Sequence, residues 1–427
     1  MKSHFVSSQM IPVEEAIDLV LSFTWVLEPE PTPMLEASGR VLAEDIISDI
    51  DIAPFDNSAM DGFAVKAADT EQASPDFPIK LKVLGVIGAG GVFTGSVQSG
   101  EALRIMTGAM LPAGADAVVK IEQVEVLGET SAKPQGEQII LTKPITVGKN
   151  IRYKGEEIAA GQVLLPAGSQ LSPAGIGLLA ATGNPVAQII RRPQVAILAT
   201  GDELVDPALI PGPGKIRNSN CYSLAAAVAA AGAVPTVLGI VADDAAQMRS
   251  TIERAVVSHD LVLVSGGAAG GDYDYTYQVL SELGHVYFNK VNMRPGKAQT
   301  LGIIDDTIVF GLAGNPTAAL VGFEVLLRPA LRKMQGYTSL TRPQTWARLG
   351  SDIQKEDSRR LFLRGHISKD TQTGENLVIL EEHQSSALLG AMQNADCLVV
   401  LQEGLVGSLK NEWVACMRLD IDAGVVV

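Results

Sequence analysis

The stretch RRPQVAILATGDEL, residues 191–204, begins the region of this chain whose pattern is most diagnostic of a fold class. Its apolar part, Val195–Thr200, has the composition of a strand that is buried on both faces. The same kind of strand recurs three times, each time followed by a helical pattern. The further strands are Thr236–Val241, Leu261–Val264 and Thr307–Leu312, and the helices begin near Ser219, Asp244, Tyr275 and Pro316. This alternation predicts a doubly wound, parallel α/β sheet over residues 192–336.

The flanking regions have a different character and predict a multidomain protein of the α/β plus β class. Residues 52–151 carry short β-type runs between glycines, which indicates a β-rich inserted domain. These runs are Ile79–Ile87, Ala102–Met106, Ala117–Val126 and Ile139–Thr142. Residues 1–51 and 152–191 enclose the insert and predict an elongated linking domain, with helices at Val13–Val26 and after Ser172-Pro173. Residues 337–427 predict a small C-terminal β-barrel, with strands at Leu361–Ile367, Leu377–Leu380, Cys397–Leu401 and Trp413–Met417.

Composition excludes several classes of function. The chain has 33 Lys and Arg against 48 Asp and Glu, a formal net charge of −15, so we expect no nucleic-acid partner. Its three cysteines form no CxxC pair and its five histidines are scattered, which argues against a zinc site or a disulfide framework. Residues 1–17 lack the apolar core of a signal peptide, so we expect a cytoplasmic protein.

One uncharged stretch, Leu224–Ala242, is long enough to span a bilayer. Alternatively, it is a helix, a turn and a strand. The second interpretation is favoured because N-cap residues precede the stretch, and because Gly232 and Pro235 interrupt it. We therefore expect no membrane association.

Residues with binding chemistry follow the predicted strands. In an open parallel sheet the ligand binds beyond the carboxyl ends of the strands, so these residues should meet at one edge. They are the segments Thr200–Glu203, Asp243–Asp244, Ser265–Asp274 and Gly311–Pro316. The glycines would let backbone N–H groups approach an anion. The carboxylates would repel that anion unless Mg²⁺ were bound between them. Arg294 and Lys297 would add positive charge. The pattern predicts a nucleotide or pyrophosphate ligand with a divalent metal, although Asp202 and Asp243 could instead cap helices and the glycines could be ordinary turns.

Six further segments, together with residues 191–204, give the sequence a specific resemblance. They are FDNSAMDGFAV (55–65), RIMTGAMLPAGADAVV (104–119), NIRYKGEEI (150–158), SGGAAGGDYDYT (265–276), RPGKAQTLG (294–302) and GLAGNPTAALVGFE (311–324). In this order they resemble the molybdopterin molybdenumtransferases, the family that includes the cofactor-synthesis domain of gephyrin. The resemblance implies that residues 192–336 are a molybdopterin-binding domain. It also implies a Mg²⁺-dependent homodimer that inserts molybdate into adenylylated molybdopterin and releases AMP, the final step of molybdenum cofactor biosynthesis.

The resemblance also implies roles for individual residues. The residues needed for activity would be Asp61, Thr107, Glu203, Asp243 and Asp274. Of these, Glu203, Asp243 and Asp274 follow predicted strands and would support the metal. The residues that bind substrate would be Arg152, Gly266, Gly267, Gly271, Asp272, Lys290, Arg294, Lys297, Asn315, Pro316, Arg364 and Ser386. Protein partners would be the adenylyltransferase of the preceding step, apo-molybdoenzymes or their chaperones.

The sequence departs from the family pattern around the expected anion site. Ala268-Ala269-Gly270 lacks a serine that the family has, Arg294 replaces a lysine and Ala298 replaces a proline. Ala313 and Thr317 also differ from the family motif. These changes leave open whether the oxyanion is molybdate or tungstate, since an arginine presents a planar fork instead of a point charge. Two other functions stay open: the adenylyltransferase of the preceding step, and a pterin carrier or scaffold without catalysis.

Overall fold

A computed structural model describes residues 10–127, 136–267, 275–355, 357–405 and 407–421. The chain forms two compact units. One unit comprises Met1–Pro31 together with Gln188–Val427, and the other comprises Thr32–Ala187. The finer domain boundaries within these units stay predictions from the sequence.

The predicted α/β sheet is present in the first unit. Its six strands lie side by side in the order Val234–Val241, Gln194–Thr200, Leu261–Ser265, Thr307–Leu312, Ala298–Ile304 and His285–Lys290. The first four strands are parallel and confirm the prediction. The last two are antiparallel additions that the sequence analysis did not predict. His285–Lys290 is an alternating strand, half buried, and no helix separates it from Ala298–Ile304, so neither matches the strand–helix repeat.

Helices cover this sheet where the sequence predicts them. They are Asn220–Ala230, Ala245–Ser258, Tyr275–Leu283 and a continuous segment of three parts, Pro316–Gly322, Phe323–Leu327 and Arg328–Met334. Leu198 and Val264 of the sheet pack in one core with Met248, Ile252 and Val279 of the helices. Burying one such aliphatic side chain stabilises the fold by roughly 1.5–3 kcal/mol. This packing fixes the strand ends relative to each other.

The uncharged stretch at residues 224–242 is a helix, a turn and a strand, as the sequence favours. Helix Asn220–Ala230 ends before Gly232, which has φ +88° and opens the connection to strand Val234–Val241. This left-handed backbone favours glycine, and a Cβ atom at Gly232 would in addition lie 2.5 Å from Gln335 Oε1. In the described part of the chain, no helix is long and apolar enough to cross a membrane.

The C-terminal strands close into a small barrel, as predicted. The five strands are Gln344–Leu349, Arg360–Lys369, Asn376–Leu380, Cys397–Leu401 and Trp413–Arg418. Closure results because Arg360–Lys369 pairs both with Asn376–Leu380 and with Cys397–Leu401. The strand Gln344–Leu349 was not predicted, because its buried residues alternate with polar or exposed ones and give no continuous apolar run.

The second unit contains a six-stranded sheet. Its strands lie in the order Ala117–Lys120, Gly62–Val65, Glu101–Ile105, Ile79–Ile87, Gln138–Leu141 and Val124–Leu127. The single strand predicted at Ala117–Val126 is wrong, because the turn Ile121–Gln123 divides it in two. The short strands Ile46–Ile47 and Val163–Leu165 pair, and helix Pro173–Ala181 begins where Ser172 accepts a hydrogen bond from Gly175 N.

The first helix of the chain is shorter than predicted. It spans Val13–Ser22 instead of Val13–Val26. The hydroxyls of Ser22 and Thr24 donate to the carbonyl oxygens of Leu19 and Val20, at 2.7 and 2.8 Å. These bonds satisfy carbonyl groups that the next turn would otherwise use, and they end the helix.

Candidate active site

A cavity of about 1380 Å³ lies in the first unit, where the α/β domain meets the barrel. The four predicted strand-end segments contribute to its wall, as the parallel sheet requires. From these segments the lining residues are Thr200, Gly201, Glu203, Asp243, Ser265, Gly266, Gly267, Ala313, Gly314, Asn315 and Pro316. Gly271, Asp272 and Asp274 lie outside the described residues.

Two glycines of the third strand end are required by the local geometry. Gly266 has φ +100°, and a Cβ atom there would lie 2.4 Å from Thr200 O. Gly267 has φ +65°, and its Cβ would lie 2.7 Å from Thr276 Oγ1. Both positions therefore need glycine because of backbone conformation and close packing. Since neither residue has a side chain, its backbone lies next to the cavity.

The two neighbouring carboxylates Asp243 and Asp244 have distinct roles, and only Asp243 lines the cavity. Asp244 is the N-cap of helix Ala245–Ser258, since its carboxylate accepts a hydrogen bond from Gln247 N at 2.7 Å. Asp243 does not cap this helix: its carboxylate accepts from Thr200 Oγ1 at 2.6 Å and from Asp202 N at 3.3 Å. Asp243 and Glu203 both line the cavity. Among the described residues no group of three or more His, Cys, Asp or Glu could hold a metal by itself.

The basic turn, residues 294–297, forms another part of the wall. Arg294, Pro295, Gly296 and Lys297 all line the cavity. The short strand Met293–Arg294 pairs in parallel with Arg360–Leu361 of the barrel. Lys290, at the end of its strand, is not among the lining residues of the described cavity, and its carbonyl oxygen accepts from Ile11 N at 3.1 Å.

Arg364 is the most unusual group in this cavity. It is 0% exposed, and its Nη2 donates to Ser385 O at 3.1 Å. Its Nε and Nη1 are buried and have no hydrogen-bond partner among the described residues. Desolvation lowers the pKa of Arg364, although the Glu381 carboxylate acts in the opposite direction. A buried cation with unpaired donors is costly, and a water molecule or an anion at these nitrogens would offset that cost.

Ser386 connects the barrel to the α/β domain. Its hydroxyl accepts from Asn315 Nδ2 at 3.1 Å, and its carbonyl oxygen accepts from Thr317 N at 3.0 Å. Thr317, one of the departures from the family pattern, also donates through its hydroxyl to Leu388 O at 2.9 Å. Asn315, Pro316 and Ser386 therefore lie together in the cavity wall.

Five charged lining residues were missed by the sequence analysis: Arg217 and Asp352, and the three residues Lys355, Asp357 and Arg359 of one charged segment. Hydrogen bonds from Arg359 hold the pKa of Asp357 far below its usual range, with a smaller contribution from Arg294. Burial lowers the pKa of Lys355, whereas the nearby carboxylates of Glu403 and Asp357 act to raise it. The density of charge in the segment KEDSRR, residues 355–360, was the available signal.

The second unit brings two predicted residues together. Thr107 donates to Asp61 Oδ1 through both its backbone N and its hydroxyl, each at 2.7 Å. These bonds lower the pKa of Asp61, with a smaller contribution from Arg104. Arg152 is exposed and pairs with Asn57 in the short ladder of Ile151–Arg152 with Asn57–Ser58.

The fold and the cavity define a multidomain α/β protein with a cavity, lined by both acidic and basic side chains, between an open sheet and a barrel. Three family models match the chain: the MoeA N-terminal region (domain I and II) at residues 11–183, the probable molybdopterin binding domain at 196–333, and the MoeA C-terminal region (domain IV) at 346–419. The chain is 36% identical over 415 residues to a molybdopterin molybdenumtransferase of Staphylococcus aureus (strain MSSA476), covering 97% of this chain and 96% of the relative. It is 35% identical over 410 residues to the protein of that name from Bacillus subtilis (strain 168), covering 93% and 91%.

A solved structure agrees with these sequence matches. The molybdopterin biosynthesis moea protein from Pyrococcus horikosii is 34% identical, with a TM-score of 0.79, covering 96% of this chain and 99% of that one. The chain belongs to the molybdopterin molybdenumtransferase family.

Proposed function

We propose that the protein inserts molybdate into the dithiolene of adenylylated molybdopterin and releases AMP. One observation carries this proposal: a single cavity joins glycine loops and carboxylates at the strand ends to a buried arginine with two unpaired donors. The first part suits a pyrophosphate and the second suits an oxyanion. In this reaction two dithiolene sulfurs replace one oxygen of molybdate, which leaves as water with the two thiol protons. A further water cleaves the pyrophosphate bond, and AMP departs.

Each group in the wall has a task in this proposal. Backbone N–H groups at Gly266 and Gly267 bind the phosphates, while Arg294, Lys297 and Arg364 bind the oxyanion and orient it toward the sulfurs. Glu203 and Asp243 give the oxygen ligands that Mg²⁺ prefers, and one or two carboxylates are enough when phosphates complete the coordination. Mg²⁺ bound there would neutralise phosphate charge. Asp274 would join them on the grounds of the resemblance alone.

The second unit also takes part in the proposal. Hydrogen bonds from Thr107 stabilise the ionised form of the Asp61 carboxylate, which is then ready to bind a cationic centre. We propose that Asp61, Thr107 and Arg152 complete the site within a homodimer in the cytoplasm. The remaining residues of the substrate site would be Gly271, Asp272, Lys290, Asn315, Pro316 and Ser386. The product would pass to apo-molybdoenzymes or their chaperones.

Incubation with adenylylated molybdopterin, Mg²⁺ and either molybdate or tungstate tests this function. We expect AMP release that depends on the oxyanion, together with pterin-bound metal, and the two oxyanions compared in parallel measure selectivity. In a second reaction, ATP and molybdopterin replace the adenylate. Adenylate formed there, without oxyanion-dependent AMP release, would assign the protein to the preceding step. Pterin binding without either reaction would indicate a carrier.

A further inference from the structure

The carboxylate of Asp357 contacts two arginines that belong to different domains. Arg359 belongs to the barrel, and its Nε lies 2.8 and 3.0 Å from the two carboxylate oxygens of Asp357. Arg359 also donates its backbone N to Oδ1 at 3.0 Å and its Nη2 to Oδ2. Arg294 belongs to the basic turn, and its Nη1 lies 3.4 Å from Oδ2 of Asp357. One carboxylate therefore joins the barrel to the turn.

The backbone reinforces this junction. Met293–Arg294 pairs in parallel with Arg360–Leu361, and Arg360 N donates to Asn292 O at 3.1 Å. The bases of Arg294 and Arg359 are thus fixed, and the remaining freedom lies in the side chains. The Asp357 side chain is only 16% exposed, so its position is determined by packing.

Arg294 needs such support to bind an anion well. Its side chain is 58% exposed, and a long exposed arginine samples many rotamers. An anion that binds to a mobile arginine must order it, and that loss of entropy weakens binding. A carboxylate that already holds the guanidinium reduces this loss.

We propose that Asp357 is a positioning residue that holds Arg294 and Arg359 in one arrangement in the cavity wall and so sets the affinity for a tetrahedral dianion. This inference rests on the proposed function, because it takes the cavity as the oxyanion site. Asp357 acts through the arginines. Its own negative charge repels the dianion, so orientation and charge have opposite effects on binding.

Salt separates the two effects, since about 0.5 M NaCl screens the repulsion but leaves the orientation of a contacting pair largely intact. The experiment measures molybdate binding to the purified full chain by equilibrium dialysis at low salt and at about 0.5 M NaCl. Asp357→Asn removes the charge and keeps the shape, and Asp357→Ser serves as a second replacement. Asp352→Asn is the matched control, because Asp352 faces the same cavity but accepts from Lys410 N, a bond that asparagine retains.

At high salt we expect Asp357→Asn to raise the molybdate dissociation constant about three- to tenfold, the cost of ordering one or two long side chains. Asp352→Asn should leave that constant unchanged. In an Arg294→Ala background, Asp357→Asn should change the logarithm of the molybdate dissociation constant by less than half as much as it does in the wild-type background. A loss of general structure would instead act equally in both backgrounds.

Unchanged or tighter binding by Asp357→Asn at high salt would overturn the inference, and so would an equal effect with and without Arg294. If the wild-type protein binds molybdate and the Asp357 variants bind it equally well, only this inference is refuted. A wild-type protein that binds no molybdate overturns the proposed function, and this inference with it.

Discussion

Replacing Arg364 by methionine should make the protein more stable and inactive at once. The side chain is fully buried, and two of its nitrogen donors, Nε and Nη1, have no partner among the described residues. Methionine has a similar length, no charge and a flexible chain that fills irregular space. The change therefore removes an unfavourable buried charge and the proposed oxyanion ligand together.

The expected magnitude follows from the contacts of Arg364. Each unsatisfied buried donor costs about 1–3 kcal/mol, so removing two gains roughly 2–6 kcal/mol. The lost bond from Nη2 to Ser385 O is worth about 1.5–3 kcal/mol. The free energy of unfolding should thus change by between roughly −1 and +4.5 kcal/mol, and the middle of that range is a gain of about 2 kcal/mol. Losing a charge from a desolvated anion pair costs about 2–5 kcal/mol, which weakens oxyanion binding roughly 30- to 5000-fold.

Urea unfolding and oxyanion-dependent AMP release measure the two effects. Arg360→Met is the control, because Arg360 lies on the same strand but is paired with Glu14 and Glu403. Its replacement should lower the free energy of unfolding by about 1–3 kcal/mol, since it breaks charged hydrogen bonds. If Arg364→Met unfolds more easily than the wild type and retains normal turnover, Arg364 is a structural cation and the reasoning is wrong.

Four further predictions concern other parts of the molecule. Asp243→Asn should reduce AMP release by about 10²-fold with a nearly unchanged thermal midpoint. Asp244→Ala should instead lower the free energy of unfolding by about 1 kcal/mol, because a helix cap is lost, and leave turnover unchanged; equal turnover of the two variants would contradict their separate roles. Folding lowers the pKa of Asp357, so the stability that its carboxylate contributes is complete above the unfolded pKa of about 3.9 and is lost as the pH falls through the folded pKa. The difference in urea midpoint between wild type and Asp357→Asn should therefore shrink below about pH 4, and a difference that grows there would refute this sign. Leu198→Ala should lower the free energy of unfolding by about 2–5 kcal/mol in a urea titration, and a loss under 1 kcal/mol would mean that the core relaxes around the gap. Mixing Asp61→Ala with Asp243→Ala protein should restore part of the AMP release if the site is shared within a dimer, and an active monomer by sedimentation would exclude that arrangement.

Local pattern was sufficient for most of the fold. Continuous apolar runs such as Leu261–Ser265 predict buried parallel strands because both faces are covered, and Ser172-Pro173 marks a helix start by its capping chemistry. Alternating strands such as Gln344–Leu349 escaped, since a half-buried strand has no continuous apolar signal. The antiparallel pair His285–Lys290 and Ala298–Ile304 escaped for a related reason: no helix follows the first of them.

The sequence by itself determined the α/β repeat, the strand-end residues and the resemblance that indicated the family. Tertiary structure alone decided which charges matter. Arg360 and Arg364 lie four residues apart on one strand, yet one is paired with two carboxylates and the other is buried with unpaired donors. Asp357 meets Arg294 across 63 residues of chain. Such contacts depend on how the barrel packs against the sheet, and no local period in a sequence encodes the environment that a distant segment provides.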